Sequence, residues 1–240
     1  MAPHGGQGQP SRRGWLAHCS GLALAALAMA AAPARAQGTS QAGTGSSATA
    51  APSAPQRTLL VVGDSLSAEY GLARGQGWVA LLEARLARDK LPWRVVNASV
   101  SGDTTSGGRS RLPALLKQHR PALVVLELGG NDALRGLPLT MTEANLLAMT
   151  RAAKASGARV LIAGMAVPPN YGRSYTEQFA ALFGKVAQAE GTALVPFLLA
   201  GVADGPEADN LFQPDRIHPK AEAHPRILDN VWKVLRPLLR

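Results

Sequence analysis

Cysteine is all but missing from this chain. Its 240 residues hold one, Cys19, and that one lies in a segment expected to be removed. The working domain therefore has no disulfide and no thiol chemistry. Aromatic side chains are scarce too, at 5% of the residues. No block of five or six like charges occurs. A nucleic-acid footprint clusters cations and interleaves aromatics, so nucleic acid is excluded as a partner class. Long apolar runs are also lacking. The stretch 16–32 is short and rich in alanine, too little for a membrane span.

The surroundings of that stretch say what it is for. Arg12 and Arg13 precede it with no acid nearby, and Ala34-Arg35-Ala36 follows it. Basic, then apolar, then small-x-small is the order of a signal peptide, here 1–36, cleaved after Ala36. The residues from Ser11 to Leu16 also resemble a twin-arginine export signal, which leaves the route open. Cys19 does not read as a lipid-attachment site, because His18 rather than a small residue precedes it. Loss of Arg12, Arg13 and Arg35 lowers the net charge from +9 to +6. The remaining charge is scattered and reads as solubility. Residues 37–56 are small and polar, cannot bury a core, and are expected to be a disordered linker. The folded domain is expected over 57–240, as a monomer in the periplasm or outside the cell.

Within that domain, apolar runs alternate with amphipathic ones. Strands are expected at 58–62, 94–98, 122–128, 159–164 and 193–197. Helices are expected at 78–88, 109–119, 143–156, 176–190 and 221–239. Gly157 and Gly191 stand where two helices should stop, and Pro225 near the first turn of the last. A β-α unit repeated five times predicts an α/β fold with one parallel sheet and helices on both faces. The specific expectation is a flavodoxin-like three-layer α/β/α sandwich with strand order 2-1-3-4-5.

Ligands of such sheets bind outside the carboxyl ends of the strands. Four loops there carry polar or glycine-rich signals. Gly63-Asp64-Ser65 ends the first strand. Its hydroxyl reads either as a nucleophile or as the cap of a following helix. Ser99-Val100-Ser101-Gly102-Asp103-Thr104 follows the second strand and Gly129-Gly130-Asn131-Asp132 the third. Each reads as a plain turn, or as a source of oxyanion donors in the Gly102 N–H and the Asn131 amide. Asp215-Arg216-Ile217-His218-Pro219 comes after the fifth. One local turn there brings the carboxylate to the imidazole, which suits a base and its orienter as well as a helix cap with a surface histidine. His119 reads as a solvated charge at a helix end, and His224 lies on the closing helix. Glu127 reads as a buried structural acid paired with a neighbour.

Taken together, Gly63-Asp64-Ser65-Leu66-Ser67, Gly102, Gly129-Gly130-Asn131-Asp132 and Asp215-x-x-His218 resemble the four blocks of the SGNH (GDSL) hydrolases. The resemblance spans about 59–239. Arg111-Leu112-Pro113-Ala114-Leu115-Leu116-Lys117-Gln118-His119 and Pro169-Asn170-Tyr171-Gly172-Arg173 narrow it. They point to the periplasmic acyl-CoA thioesterase I/lysophospholipase/arylesterase group. The resemblance implies a broad esterase and thioesterase with Ser65 as nucleophile, His218 as base and Asp215 as orienter. Ser65, Gly102 and Asn131 would form the oxyanion hole, with no metal or other cofactor. One departure is Arg216, where a glycine is frequent. An α/β-hydrolase would instead want Gly-x-Ser-x-Gly, but Ser67 follows Leu66.

The loops 133–139 and 165–172 put apolar residues where an acyl chain would lie. Leu134, Leu137, Pro169, Asn170 and Tyr171 are the candidates for substrate contact, against the plainer reading that they pack the loops onto the domain. Arg135 and Arg173 read as solvated, or as partners for a substrate carboxylate or phosphate. The partner expected is a small acyl ester or thioester, with transient contact to membrane lipids. Two alternatives stay open: a carbohydrate O-acetyl esterase on the same scaffold, and a non-catalytic protein that binds acyl chains or glycans.

Overall fold

Residues 56–240 are described by a computed structural model of the chain. The expected signal peptide, and the linker up to residue 55, lie outside the described residues. The first strand, β1 (Arg57–Gly63), is buried at every position after Arg57. It pairs in parallel with β2 (Trp93–Asn97) on one side and β3 (Leu123–Glu127) on the other. β4 (Arg159–Ala163) and β5 (Ala193–Val195) extend the sheet beyond β3. The order is β2-β1-β3-β4-β5, as the alternation predicted. Leu59 to Val62 and Leu123 to Leu126 have no exposed surface at all. Strands covered on both faces read as unbroken apolar runs, and these two do.

Right-handed crossovers decide which face each helix takes. The chain steps one way from β1 to β2 through α1 (Trp78–Arg88). It then returns past β1 through α2 (Thr105–His119) to β3. α4 (Leu139–Ala155) and α5 (Arg173–Glu190) continue in that second direction, α4 packing against α2 and α5 against α4. α7 (His224–Leu235) packs against α1 on the opposite face. Two short helices complete the set, α3 (Gly130–Leu134) and α6 (Ala208–Leu211). All five strand-to-helix loops therefore open at one edge of the sheet.

Several boundaries differ from the sequence expectation, each for a physical reason. α2 starts at Thr105 rather than 109, because the Thr104 hydroxyl caps it by accepting the Gly107 N–H at 3.3 Å. Gly107 and Gly108 look like loop residues. A side chain at Gly108 would collide with Leu128, so packing holds them helical. The glycine block after β3 is a one-turn helix, α3, rather than a bare turn. α4 begins at Leu139 rather than 143, directly after Pro138. The closing helix is broken into three. A 3-10 turn at Ala221–Ala223 precedes α7, and another at Arg236–Leu239 follows it. Pro225 and Pro237 stand at the two joints, where a missing N–H interrupts the helical ladder.

Candidate active site

β1 delivers Ser65 two residues past its end. Gly63 is needed there for space, since a Cβ would lie 2.7 Å from Glu127 Oε2 and 2.9 Å from Ser67 Cβ. The segment after Ser65 is a run of turns, not the helix that its sequence suggested. Asp64 O accepts the Ser67 and Ala68 N–H groups, so the turn folds back under the serine.

The Ser65 hydroxyl lies 2.8 Å from His218 Nε2, across 153 residues of sequence. His218 Nδ1 lies 2.7 Å from Asp215 Oδ2. Asp215 is held by its own turn, its Oδ1 accepting the Ile217 N–H at 2.9 Å and the His218 N–H at 3.0 Å. Burial pushes the Asp215 carboxyl up. The two backbone donors and the imidazole outweigh it and hold the group down at about 2. An ionised carboxylate can only accept, so Nδ1 carries the imidazole proton and Nε2 is left to accept from Ser65. Arg216 inside this turn has φ +56°. That left-handed conformation explains why glycine suits the position.

The expected oxyanion donors sit on the neighbouring loops. Gly102 has φ +78°, and its carbonyl accepts from Arg135 Nη2 at 2.8 Å. Arg135 is thus a tie between the loops after β2 and β3, not merely a solvated cation. Asn131 is half-buried on α3, and its Nδ2 donates to Asp64 Oδ2 at 2.9 Å. That bond uses one of the two amide hydrogens and leaves the second available. Among the described residues, the Ser65 and Gly102 N–H groups have no hydrogen-bond partner.

Beneath the serine lies a buried acidic pair. Asp64 Oδ1 accepts the Leu66 N–H at 3.0 Å while Oδ2 holds Asn131. Burial pushes the Asp64 carboxyl up to about 6, against those two bonds. Glu127 is wholly buried, and its Oε2 accepts from the Ser67 hydroxyl at 2.6 Å and from the Asp64 N–H at 3.3 Å. Burial, then the neighbouring Asp64, drives its pKa well above the ordinary range. Its role is structural, as expected, but its partners are a hydroxyl and a backbone N–H. Arg111 braces the same corner. Its Nε pairs with Asp103 at 2.7 Å, its Nη2 donates to Gly63 O at 3.2 Å, and its Nη1 donates to Ala98 O. The sequence offered no signal for Arg111 as a tie beyond its place in a familiar block.

The substrate-contact candidates are less tightly assembled. Leu134 is 38% exposed at the end of α3, and Leu137 is half-buried behind it. Asn170 and Tyr171 are exposed on a 3-10 turn after β4, and Tyr171 stacks on Tyr175 at 6.4 Å. Pro169 opens that turn, and its side chain lies outside the described residues. Arg173 is exposed, and His119 lies at the C-terminus of α2. His224 proves to be buried and accepts the Trp78 N–H at 3.0 Å.

Residues 61–226 match the model of the GDSL-like lipase/acylhydrolase family. Esterase TesA of Pseudomonas aeruginosa is 55% identical over 186 residues, covering 78% of this chain and 91% of that protein. Thioesterase 1/protease 1/lysophospholipase L1 of Escherichia coli K12 is 45% identical over 186 residues, covering 76% and 85% respectively. A crystal structure of TesA superposes with a TM-score of 0.73 at 55% identity, covering 76% of this chain and 99% of that one. The chain belongs to the GDSL-like lipase/acylhydrolase family and is a carboxylic-ester hydrolase of the esterase/thioesterase kind.

Proposed function

We propose that the protein is an exported, monomeric serine hydrolase that cleaves aryl esters, acyl-CoA thioesters and lysophospholipids through an acyl-enzyme on Ser65. The observation that carries this reading is the unbroken relay of 2.8 Å and 2.7 Å from the Ser65 hydroxyl through His218 to Asp215. His218 Nε2 takes the hydroxyl proton as Ser65 Oγ attacks the acyl carbonyl carbon. The carbonyl electron pair moves onto oxygen, where the Ser65 N–H, the Gly102 N–H and the Asn131 amide stabilise it. The oxyanion then collapses, the bond to the alkoxide or thiolate breaks, and His218 hands that atom the proton. Water attacks the acyl-enzyme with His218 again as base, releasing the acid and restoring Ser65. Asp215 stays ionised throughout and holds the imidazolium in place.

General-base transfer contributes about 10²–10⁴ in rate, and each oxyanion donor about 10²–10³. The breadth of leaving group is supported by the names of the two relatives, an esterase and a thioesterase/lysophospholipase. Leu134, Leu137 and Tyr171, apolar and on two loops of the same edge, are assigned to the acyl side. The leader-like residues 1–36 support export to the periplasm or beyond.

The test is steady-state hydrolysis of p-nitrophenyl esters from acetyl to palmitoyl by wild type, Ser65→Ala and Asp215→Asn. Loss of turnover in Ser65→Ala is expected, with a kcat about 10³–10⁴ lower in Asp215→Asn. A rate maximum at medium or long chains is expected in the wild type. Normal turnover by Ser65→Ala would sink the proposal.

A further inference from the structure

His218 Nε2 must reach the leaving atom to return the proton, so whatever flanks the imidazole also borders the leaving group. Tyr70 flanks it. The two rings lie 4.3 Å apart, centroid to centroid, with 38° between their planes. Tyr70 is nonetheless 50% exposed. Half of a large aromatic surface stands open to solvent beside the base that the mechanism needs. From this we infer that Tyr70 forms a leaving-group subsite that receives planar aromatic alcohols. The inference rests on the serine-hydrolase reading above and deepens it by assigning the aromatic leaving group of an aryl ester to one residue, Tyr70.

The backbone around Tyr70 is held in a way that a loose loop residue would not require. Glu69, just before it, adopts φ +60°, an unfavourable conformation for a residue with a side chain. Its carboxylate is engaged at the start of α1, where Oε1 accepts the Gly75 N–H at 3.0 Å and the Gly77 N–H at 2.8 Å. Gln213 ties the other side. Its Nε2 donates to Tyr70 O at 3.0 Å and to Pro219 O at 3.2 Å, and its own N–H donates to His218 O at 2.8 Å. One residue thus holds the backbones of the aromatic platform and of the base together. A planar group entering beside Nε2 meets a fixed ring and stacks on it at the usual offset, covering apolar surface that water now touches.

The test uses two esters with one acyl group, phenyl butyrate and ethyl butyrate, and the full chain carrying Tyr70→Ala, Tyr70→Leu or Tyr70→Phe. The readout is the ratio of kcat/KM for phenyl over ethyl, each relative to wild type, so that intrinsic leaving-group reactivity cancels. A ratio about tenfold lower is expected for Tyr70→Ala and Tyr70→Leu, and within about twofold of wild type for Tyr70→Phe. Tyr70→Leu keeps apolar cover over His218 and removes only the ring, which guards against a folding defect. An unchanged ratio would overturn the subsite. If both rates fell together at that unchanged ratio, Tyr70 would only position the imidazole. Ser65→Ala is assayed with the same pair. Hydrolysis of both esters by that variant would remove the underlying mechanism, an outcome separate from any change at Tyr70.

Discussion

Arg216 bears the backbone strain of the Asp-x-x-His turn. An L-residue in the left-handed region is disfavoured by roughly 1–2 kcal/mol, and glycine is not. Glycine also enlarges the unfolded ensemble, which returns part of that gain. Arg216→Gly should therefore stabilise the fold by about 0.5–1 kcal/mol. A higher urea midpoint at unchanged slope would show it, and a lower midpoint would mean that the arginine makes up for its φ of +56° by other contacts. The same turn illustrates what sequence reading could reach. Asp215 and His218 lie three residues apart, so their pairing was legible from local geometry alone. Asn131 was legible as a donor, but its bond to Asp64 was not, because the two lie 67 residues apart. Tyr70 was passed over because an aromatic beside a turn carries no signal until the ring it faces is known. Asp215 also sets a pH limit. Its pKa is depressed, so the stability it adds is present above its ordinary value of 3.8 and lost as pH falls through about 2.

α1 depends on a neighbour for its first turn. Gly77 at its N-cap offers no side chain, and His224, the first residue of α7, accepts the Trp78 N–H in its place. Burial lowers the His224 pKa, partly opposed by a hydrogen bond to the Pro219 backbone, so the folded chain resists protonation there. Below the ordinary value of 6.5 the unfolded chain binds a proton that the folded chain refuses. Stability from this contact is thus fully present above that pH and falls as pH drops through it. His224→Asn keeps an acceptor near the same point but cannot titrate. Urea unfolding at pH 7.5, 6.5 and 5.5 should show a shallower acid loss in the variant, by up to about 1.4 kcal/mol per pH unit. Equal slopes would mean that His224 protonates alike in both states. At this scale the periodic centres of the helices were legible, and so was the start of α1 at Trp78, but the starts of α2, α4 and α5 were not. The first turns of α2, α4 and α5 hold glycine, threonine or arginine residues outside the apolar repeat. Their helical state comes from caps and packing, which a window of hydropathy does not contain.

Across the whole chain, the net charge and the leader-like segment 1–36 bear on one another. The three arginines that precede Gln37 account for a third of the net charge of +9. If residues 1–36 direct export, protein recovered from the periplasm or medium should begin at Gln37. Intact-mass measurement and N-terminal sequencing would show this, whereas full-length protein held in the membrane fraction would contradict it. The exposed large apolar side chains named among the described residues are Tyr70, Val100, Leu134, Met141, Tyr171 and Ile217. All six lie on segments that follow strand ends, at the edge that carries Ser65. An apolar edge of this kind suits substrates with acyl chains and aromatic leaving groups.

The order of strands and helices follows from the sequence alone, because hydrophobic period is a local property and right-handed crossovers leave few ways to connect five β-α units. So does the arrival of Ser65, Gly102, Asn131 and His218 at one edge, since each motif directly follows a strand or precedes the last helix. Only the tertiary structure decided which side chains meet. The meeting of His218 with Ser65, 2.8 Å apart across 153 residues, is of this kind. Arg111, Gln213 and Tyr70 acquired their parts in the same way. Hydrogen bonds and ring contacts form or fail within fractions of an ångström, and that precision comes from packing, not from the pattern of residues along the chain.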